Sequence, residues 1–279
     1  MAVAVRSELP RDGYALSVLD WPAPADTAAR ATVLLVHGLG EHIGRYEAVA
    51  QQLLSLGLAV RGYDHVGHGL SGGRRGDLPQ PQRLLEDLGH VIDATRRLPG
   101  RAQQPLILLG HSMGGLVVAR AAADRLRPIQ GLIMSSPALA ANPNPLQKLL
   151  LATLPRWFPH LCVDNGLDAS QVARSAQAVQ AYLQDPLVHR KISAGLAHWI
   201  LTEGPRTVAQ AATWTVPTLL LYAGNDRLVD PKGSARFAAQ APAPVVQSQV
   251  FEDMYHEIFN DPQVDQVFAV LKHWLTRRF

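Results

Sequence analysis

The sequence predicts an α/β protein: a mostly parallel sheet covered by helices on both faces and interrupted by an inserted helical segment. Three observations carry this reading. Short, β-branched apolar runs alternate with segments of helical period. Those runs hold almost no polar residue, as strands buried on both faces do. From about Pro137 to Trp214 the alternation stops and only helical patterns remain.

The elements follow in order. Residues 14–19, YALSVL, read as an early strand, and 31–36, ATVLLV, as a buried parallel strand ending at His37-Gly38. Tyr46, Val49, Ala50 and Leu53 lie at helical spacing, and Gly57 stops that helix. Leu58 to Tyr63 is the next strand and runs into a Gly-rich turn over 67–76. Leu84, Leu88, Val91 and Ile92 mark a helix from about Pro81 to Leu98. Strand 105–109, helix 114–126 and strand 130–135 follow, then strands 217–223 and 245–251 after the insertion. Val264, Val267, Phe268, Leu271 and Leu275 mark a closing helix. Within the insertion, helical patterns run through Leu146, Leu149, Leu150, Thr153 and Leu154, through Val172, Ala176, Val179 and Leu183, and through Ile192, Leu196, Trp199 and Ile200. The expected organisation is therefore a core of 1–136 and 215–279, with a helical cap over 137–214.

Composition excludes several classes. With 47% hydrophobic and 18% charged residues, the chain fills a large core and does not read as disordered. The net charge of +3 is spread along the chain without a dense Lys/Arg block, so no nucleic-acid partner is expected. Cys162 is the single cysteine, which rules out an intramolecular disulfide and suits a reducing compartment. The N-terminus turns charged at Arg6 before a signal-peptide core forms, and no apolar run reaches the roughly 18 residues of a membrane span. The expectation is a cytoplasmic protein, with peripheral membrane contact as its one membrane role.

In open α/β sheets, ligands bind beyond the carboxyl ends of the strands. Gly110-His111-Ser112-Met113-Gly114 sits there, between strand 105–109 and helix 114–126. A G-x-S-x-G at a strand-to-helix turn lifts the serine hydroxyl above the sheet, and its glycines avoid collisions with the neighbouring strand and helix. A serine, rather than an aspartate or cysteine, points to acyl transfer through an acyl-enzyme. The N–H of Met113 then lies at a helix start, facing a developing oxyanion. The second donor is expected in His37-Gly38-Leu39-Gly40, at the N–H of Leu39.

The triad order of this motif is Ser, acid, His. Of eleven histidines only His256 and His273 follow the candidate acids. His273 falls inside the closing helix pattern, so His256 is the expected base. Gly224-Asn225-Asp226-Arg227-Leu228-Val229-Asp230-Pro231 offers two acids. Asp230 precedes a proline and reads as a helix N-cap, which leaves Asp226 to orient the imidazole. His65-x-x-His68 beside Asp64 lacks a full ligand set, and 67–76, GHGLSGGRRG, lacks the P-loop pattern. No metal, nucleotide or other cofactor is expected.

Taken together, HGLGEHIGRY (37–46), YDHVGHGLSGGRRG (63–76), GHSMGG (110–115), SSPAL (135–139), DPLVHR (185–190), LLYAGNDRLVDPKGS (220–234) and YHEIFND (255–261) resemble the monoacylglycerol lipase family of α/β-hydrolases. That family is grouped with lysophospholipases and serine-aminopeptidase-like hydrolases. The resemblance implies an eight-stranded α/β-hydrolase sheet, the same Ser112, Asp226 and His256, and Leu39 and Met113 as oxyanion donors. It also implies that Glu41, Arg45, His111 and Tyr182 line a polar pocket for a glycerol leaving group. On the residues alone, Glu41 and Arg45 equally suit a structural ion pair, and Tyr182 a cap-packing aromatic. Phe259 stands where the mammalian members carry a second polar histidine.

The expected activity is hydrolysis of a carboxylic ester, best fitting a monoacylglycerol of medium or long chain. Lysophospholipids and small esters are the nearest alternatives, followed by N-terminal peptide bonds and by a non-catalytic binding protein on the same fold. Leu149, Leu150, Leu154, Trp157 and Phe158 in the cap suit an acyl channel wall, a patch touching membrane or micelle, or packing of the cap onto the core.

Overall fold

The computed structural model describes residues 4–22, 29–141 and 154–279. Eight strands build one sheet: β1 (Val5–Arg11), β2 (Tyr14–Trp21), β3 (Thr32–Val36), β4 (Ala59–Tyr63), β5 (Leu106–His111), β6 (Gly131–Ser135), β9 (Thr218–Ala223) and β10 (Val246–Phe251). Their spatial order is β1-β2-β4-β3-β5-β6-β9-β10. The β1–β2 hairpin joins β4 antiparallel, and every other pairing is parallel.

β1 escapes the sequence signal because it is an edge strand whose side chains are mostly exposed, so no apolar face alternates along it. The central runs behave as their composition demands. β3 and β5 are buried along their whole length, and the two-residue period splits them between two cores. Leu34, Val36 and Leu108 pack with Leu84 and Leu88 of α2 (Arg83–Arg96) and Leu116 of α3 (Met113–Ala123). Val33, Leu35 and Leu109 pack on the opposite face with Leu53 of α1 (Glu47–Ser55) and Leu271 of the closing helix.

Between β6 and β9 the chain leaves the sheet. A two-stranded antiparallel sheet, β7 (Cys162–Asp164) with β8 (Lys191–Ser193), brackets α4 (Ala176–Gln184), and α5 (Ala194–Ala209) leads back. The sequence pattern shows no strand here, because three-residue strands are too short to display alternation. Helix α4 starts later than its apolar pattern implies. Ser175 Oγ caps it by accepting the N–H of Ala178 at 3.3 Å, which leaves Val172 outside. Leu146, Leu149, Leu150 and Thr153 lie outside the described residues.

This inserted segment is tied to the loops at the sheet's carboxyl edge. The N–H of Glu257 donates to the carbonyl of Val172 at 2.8 Å, and the N–H of His189 to that of Gly40 at 2.8 Å. Arg174 forks onto both oxygens of Asp261 at 2.7 Å each, and His42 meets Asp185 at 2.8 Å. A bidentate Arg–carboxylate pair fixes orientation as well as distance. The insertion is thus clamped to the segments that hold residues 37–45 and 256–261. The chain ends with α6 (Pro231–Gln240) and α7 (Val264–Arg278).

Candidate active site

β5 ends and α3 begins at Ser112, whose backbone lies at φ 53°, ψ −119°. Few L-residues adopt this conformation. Two glycines make it attainable. A Cβ on Gly110 would collide with the backbone of Gly114, and one on Gly114 would collide with the carbonyls of Val36 and His37. The elbow is therefore wedged between β3 and its own helix, with no space for a side chain on either flank. The N–H of Ser112 donates to the carbonyl of Ser135 at 2.9 Å, and its carbonyl accepts from Leu116 and Ala138.

His256 lies in the loop after β10 and is buried. Its Nδ1 is 2.6 Å from Asp226 Oδ2. Asp226 sits in the loop after β9, where its Oδ1 accepts the N–H groups of Leu228 (2.9 Å) and Val229 (3.1 Å). Asp230 does cap a helix: its Oδ1 accepts the N–H of Lys232 at 3.0 Å, with Pro231 opening α6. His273 lies on α7 and is exposed. Burial opposes the charge of both members of the His256–Asp226 pair, but their mutual attraction prevails. It raises the pKa of His256 above 6.5 and, with the two backbone donors, holds the Asp226 carboxyl below the usual range. Serine and imidazole line the same cavity. The Ser112 hydroxyl makes no hydrogen bond to the ring among the described residues, and such contacts often tighten only when substrate binds.

Leu39 and Met113 also border this cavity, and neither backbone N–H has an acceptor among the described residues. Met113 opens α3, where an unpaired N–H is intrinsic to the helix start. Glu41 organises the Leu39 side by accepting the N–H of Gly38 at 2.6 Å. It also accepts the hydroxyl of Tyr46 (2.7 Å) and Arg45 Nη1 (2.8 Å). Burial pushes its pKa up, yet the charge of Arg45 and the neighbouring rings of His111 and His37 hold it at about 2.

His111 stands 4.7 Å from His256, centroid to centroid, and its Nδ1 meets Ser135 Oγ at 3.1 Å. Burial and the neighbouring imidazole lower its pKa to about 4. Two adjacent imidazoles are thus driven apart, one kept neutral and one made more basic. Tyr182 borders the cavity from α4, with the Arg45 guanidinium 4.9 Å from its ring centroid. Arg45 itself borders an adjoining recess that shares Glu41 and His111 with the cavity. Phe259 stacks on Phe268 at 5.8 Å and walls the same recess.

The cavity measures about 420 Å³, and its remaining walls are largely apolar. Leu154 is on the wall, but Trp157 and Phe158 are 73% and 62% exposed, so they neither line it nor pack the insertion onto the core. Leu149 and Leu150 lie outside the described residues. Ile192, Ala197, Ile200, Leu201, Leu228 and Val229 supply the apolar wall instead. Glu257, which no sequence motif marks as a site residue, also borders the cavity and binds Arg45 through both oxygens at 2.6 and 2.8 Å. Its one sequence signal was its place next to His256. His65 and His68 lie outside the cavity, each with a ring nitrogen against a backbone carbonyl (His37 and Val66).

A serine on a strand-to-helix elbow, beside a buried His–Asp pair carried by later strands of such a sheet, defines an α/β-hydrolase of the serine type. Residues 27–263 match the family described as Serine aminopeptidase, S33. The chain belongs to this family and is a carboxylic-ester hydrolase by its fold and relatives. It is 35% identical to a protein of Mycolicibacterium smegmatis named monoacylglycerol lipase, over 90% of this chain and 89% of that one. It is 34% identical to the Homo sapiens protein named monoglyceride lipase, over 96% and 88%. The crystal structure of Paleococcus ferrophilus monoacylglycerol lipase superposes with a TM-score of 0.82 at 32% identity, covering 99% of this chain and all of that one.

The two neighbouring imidazoles have opposite expected titrations, which histidine-resolved NMR separates. His256 should titrate above pH 6.5, and His111 should stay neutral down to about pH 4. Asp226→Asn should bring the His256 value down, since it removes the charge that raises it. Two rings titrating together near 6.5 would contradict the arrangement.

Proposed function

We propose that this enzyme hydrolyses monoacylglycerols, with Ser112 as nucleophile, His256 as general base and acid, and Asp226 as the group that orients and stabilises the imidazolium. In this reading 137–214 form a cap over a core made of 1–136 and 215–279. His256 takes the Ser112 proton as Oγ attacks the acyl carbonyl. The N–H groups of Leu39 and Met113 stabilise the oxyanion, and His256 then protonates the departing alcohol. Water, deprotonated by His256, releases the fatty acid and restores the serine.

One observation carries the substrate reading. A single cavity joins apolar walls, drawn largely from the insertion, to a polar group of Glu41, His111 and Tyr182 beside Ser112. That division suits an ester with a hydrocarbon chain on one side and a polyol on the other. The naming of relatives as monoacylglycerol or monoglyceride lipases supports the same substrate. The direct test compares fatty-acid release from a 1-monoacylglycerol and from the lysophosphatidylcholine of the same chain. The monoacylglycerol should be preferred, and Ser112→Ala should lower its kcat/KM at least about 10⁴-fold. Release from neither, with short synthetic esters still cleaved, would sink the lipid reading.

Trp157, Phe158, Leu161 and Val163 are all exposed on the insertion, next to the exposed cations Arg74, Arg156 and Lys191. No helix among the described residues is long and apolar enough to cross a membrane. We read this patch as a transient contact with a lipid surface, since aromatic rings settle at the boundary of apolar and polar phases. Replacing Trp157 and Phe158 by serine should weaken vesicle binding and raise KM for micellar substrate, while a water-soluble ester is cleaved as before. Equal effects on both substrates would remove the surface role.

A further inference from the structure

The polar end of the cavity carries an uneven charge count. Arg45 is the one cation on the adjoining recess among the described residues, and no Lys or Arg lines the main cavity. Two carboxylates hold that cation. Glu257 takes it in a two-pronged bond, and Glu41 accepts from its Nη1. Asn260 Nδ2 donates to Glu257 Oε2 at 2.7 Å and fixes the second carboxylate in place. Both acids are nearly fully buried and border the cavity as well as the recess.

We propose that Glu257 sets a charge rule for the leaving group: by committing Arg45, it makes the subsite accept esters of neutral alcohols and reject those whose alcohol carries a phosphate. The inference rests on reading this end of the cavity as the alcohol side.

An unpaired Arg45 would be a planar fork suited to a phosphate. Glu257 occupies the Nη1/Nη2 face and Glu41 takes the second Nη1 hydrogen, so of the five donors only Nε–H and one Nη2–H are left, and the three side chains sum to one negative charge. His111 adds no compensating charge near neutral pH, since its pKa is lowered to about 4. A phosphate on the departing alcohol therefore meets repulsion in a low-dielectric recess and finds no free cation. A glycerol hydroxyl still finds acceptors in the carboxylate oxygens.

The test measures kcat/KM for 1-monobutyrylglycerol and for the butyryl ester of glycerol 3-phosphate, and then for the long-chain pair with the same two alcohols. Wild type, Glu257→Gln and the double variant Arg45→Met/Glu257→Gln are compared. Wild type should prefer the neutral alcohol by about a hundredfold or more, the order expected for a like charge close to a buried carboxylate. Glu257→Gln should narrow that ratio about tenfold by freeing one face of Arg45. The double variant should lose the gain, because the freed cation is gone. A merely structural role for Glu257 would slow both substrates together and leave the ratio alone. Equal cleavage of the short pair by wild type overturns the charge rule without needing any variant, as does an unchanged ratio in Glu257→Gln. Discrimination within the short pair and no cleavage of the long pair would support the charge rule while refuting the lipid substrate.

Discussion

Ser112 is held at φ 53°, ψ −119° by its neighbours and not by its own preference. A residue in so sparsely populated a region costs about 1–3 kcal/mol, and the surrounding structure has to over-determine it. Here the determination is steric. β5 and α3 approach so closely that Gly110 meets Gly114, and Gly114 meets the carbonyls of β3 and its following loop. Each feature of the site follows from that wedge. It projects the serine into the cavity, leaves the Met113 N–H free at the helix start, and brings residues 37–41 alongside the elbow. A Cβ on Gly38 would lie 3.1 Å from Ser112 Cβ, which shows how near the two loops run.

Electrostatics then differentiates chemically similar groups. Two imidazoles 4.7 Å apart have opposite tendencies, His256 more basic against Asp226 and His111 kept neutral by burial and by the neighbouring imidazole. Environments that separate the pKa values of paired groups are the usual means of assigning acid and base roles. A second system of Glu41, Arg45 and Glu257 lies at the polar end. Glu41 links the two systems, since it accepts the N–H of Gly38 beside Leu39 and also binds Arg45. Its dual use shows that an ion pair and a cavity wall are compatible descriptions of the same residue, as packing on a guanidinium and lining the cavity are for Tyr182.

What was legible in the sequence was local. The elbow is written in six consecutive residues because the glycines that its crowding by β3 and α3 requires all fall within one short motif. Asp226 could be separated from Asp230 because Pro231 marks a helix start, and the structure indeed places Asp230 as that cap. The buried parallel strands were legible because both their faces are covered. What escaped notice depended on distant partners or exposure. Glu257 meets Arg45 across 212 residues, and no pattern along the chain announces such a contact. β1 hides because an exposed edge strand has no apolar face to alternate. Trp157 and Phe158 suit a channel wall, a lipid-contacting patch or cap packing equally from their apolarity alone, and only the turn of the insertion, which points them outward, separates these. The true apolar wall mixes residues of β8, α5 and the loop after β9, which share no sequence period.

The chemistry proposed for this site depends on the strained serine acting as the nucleophile, activated by the His256–Asp226 pair. The most direct measurement is reaction with a serine-directed fluorophosphonate, followed by intact-mass and peptide-mass analysis. A single adduct should form on Ser112, strongly slowed in His256→Ala and absent in Ser112→Ala. An adduct on another residue, or none on a folded protein, would contradict it.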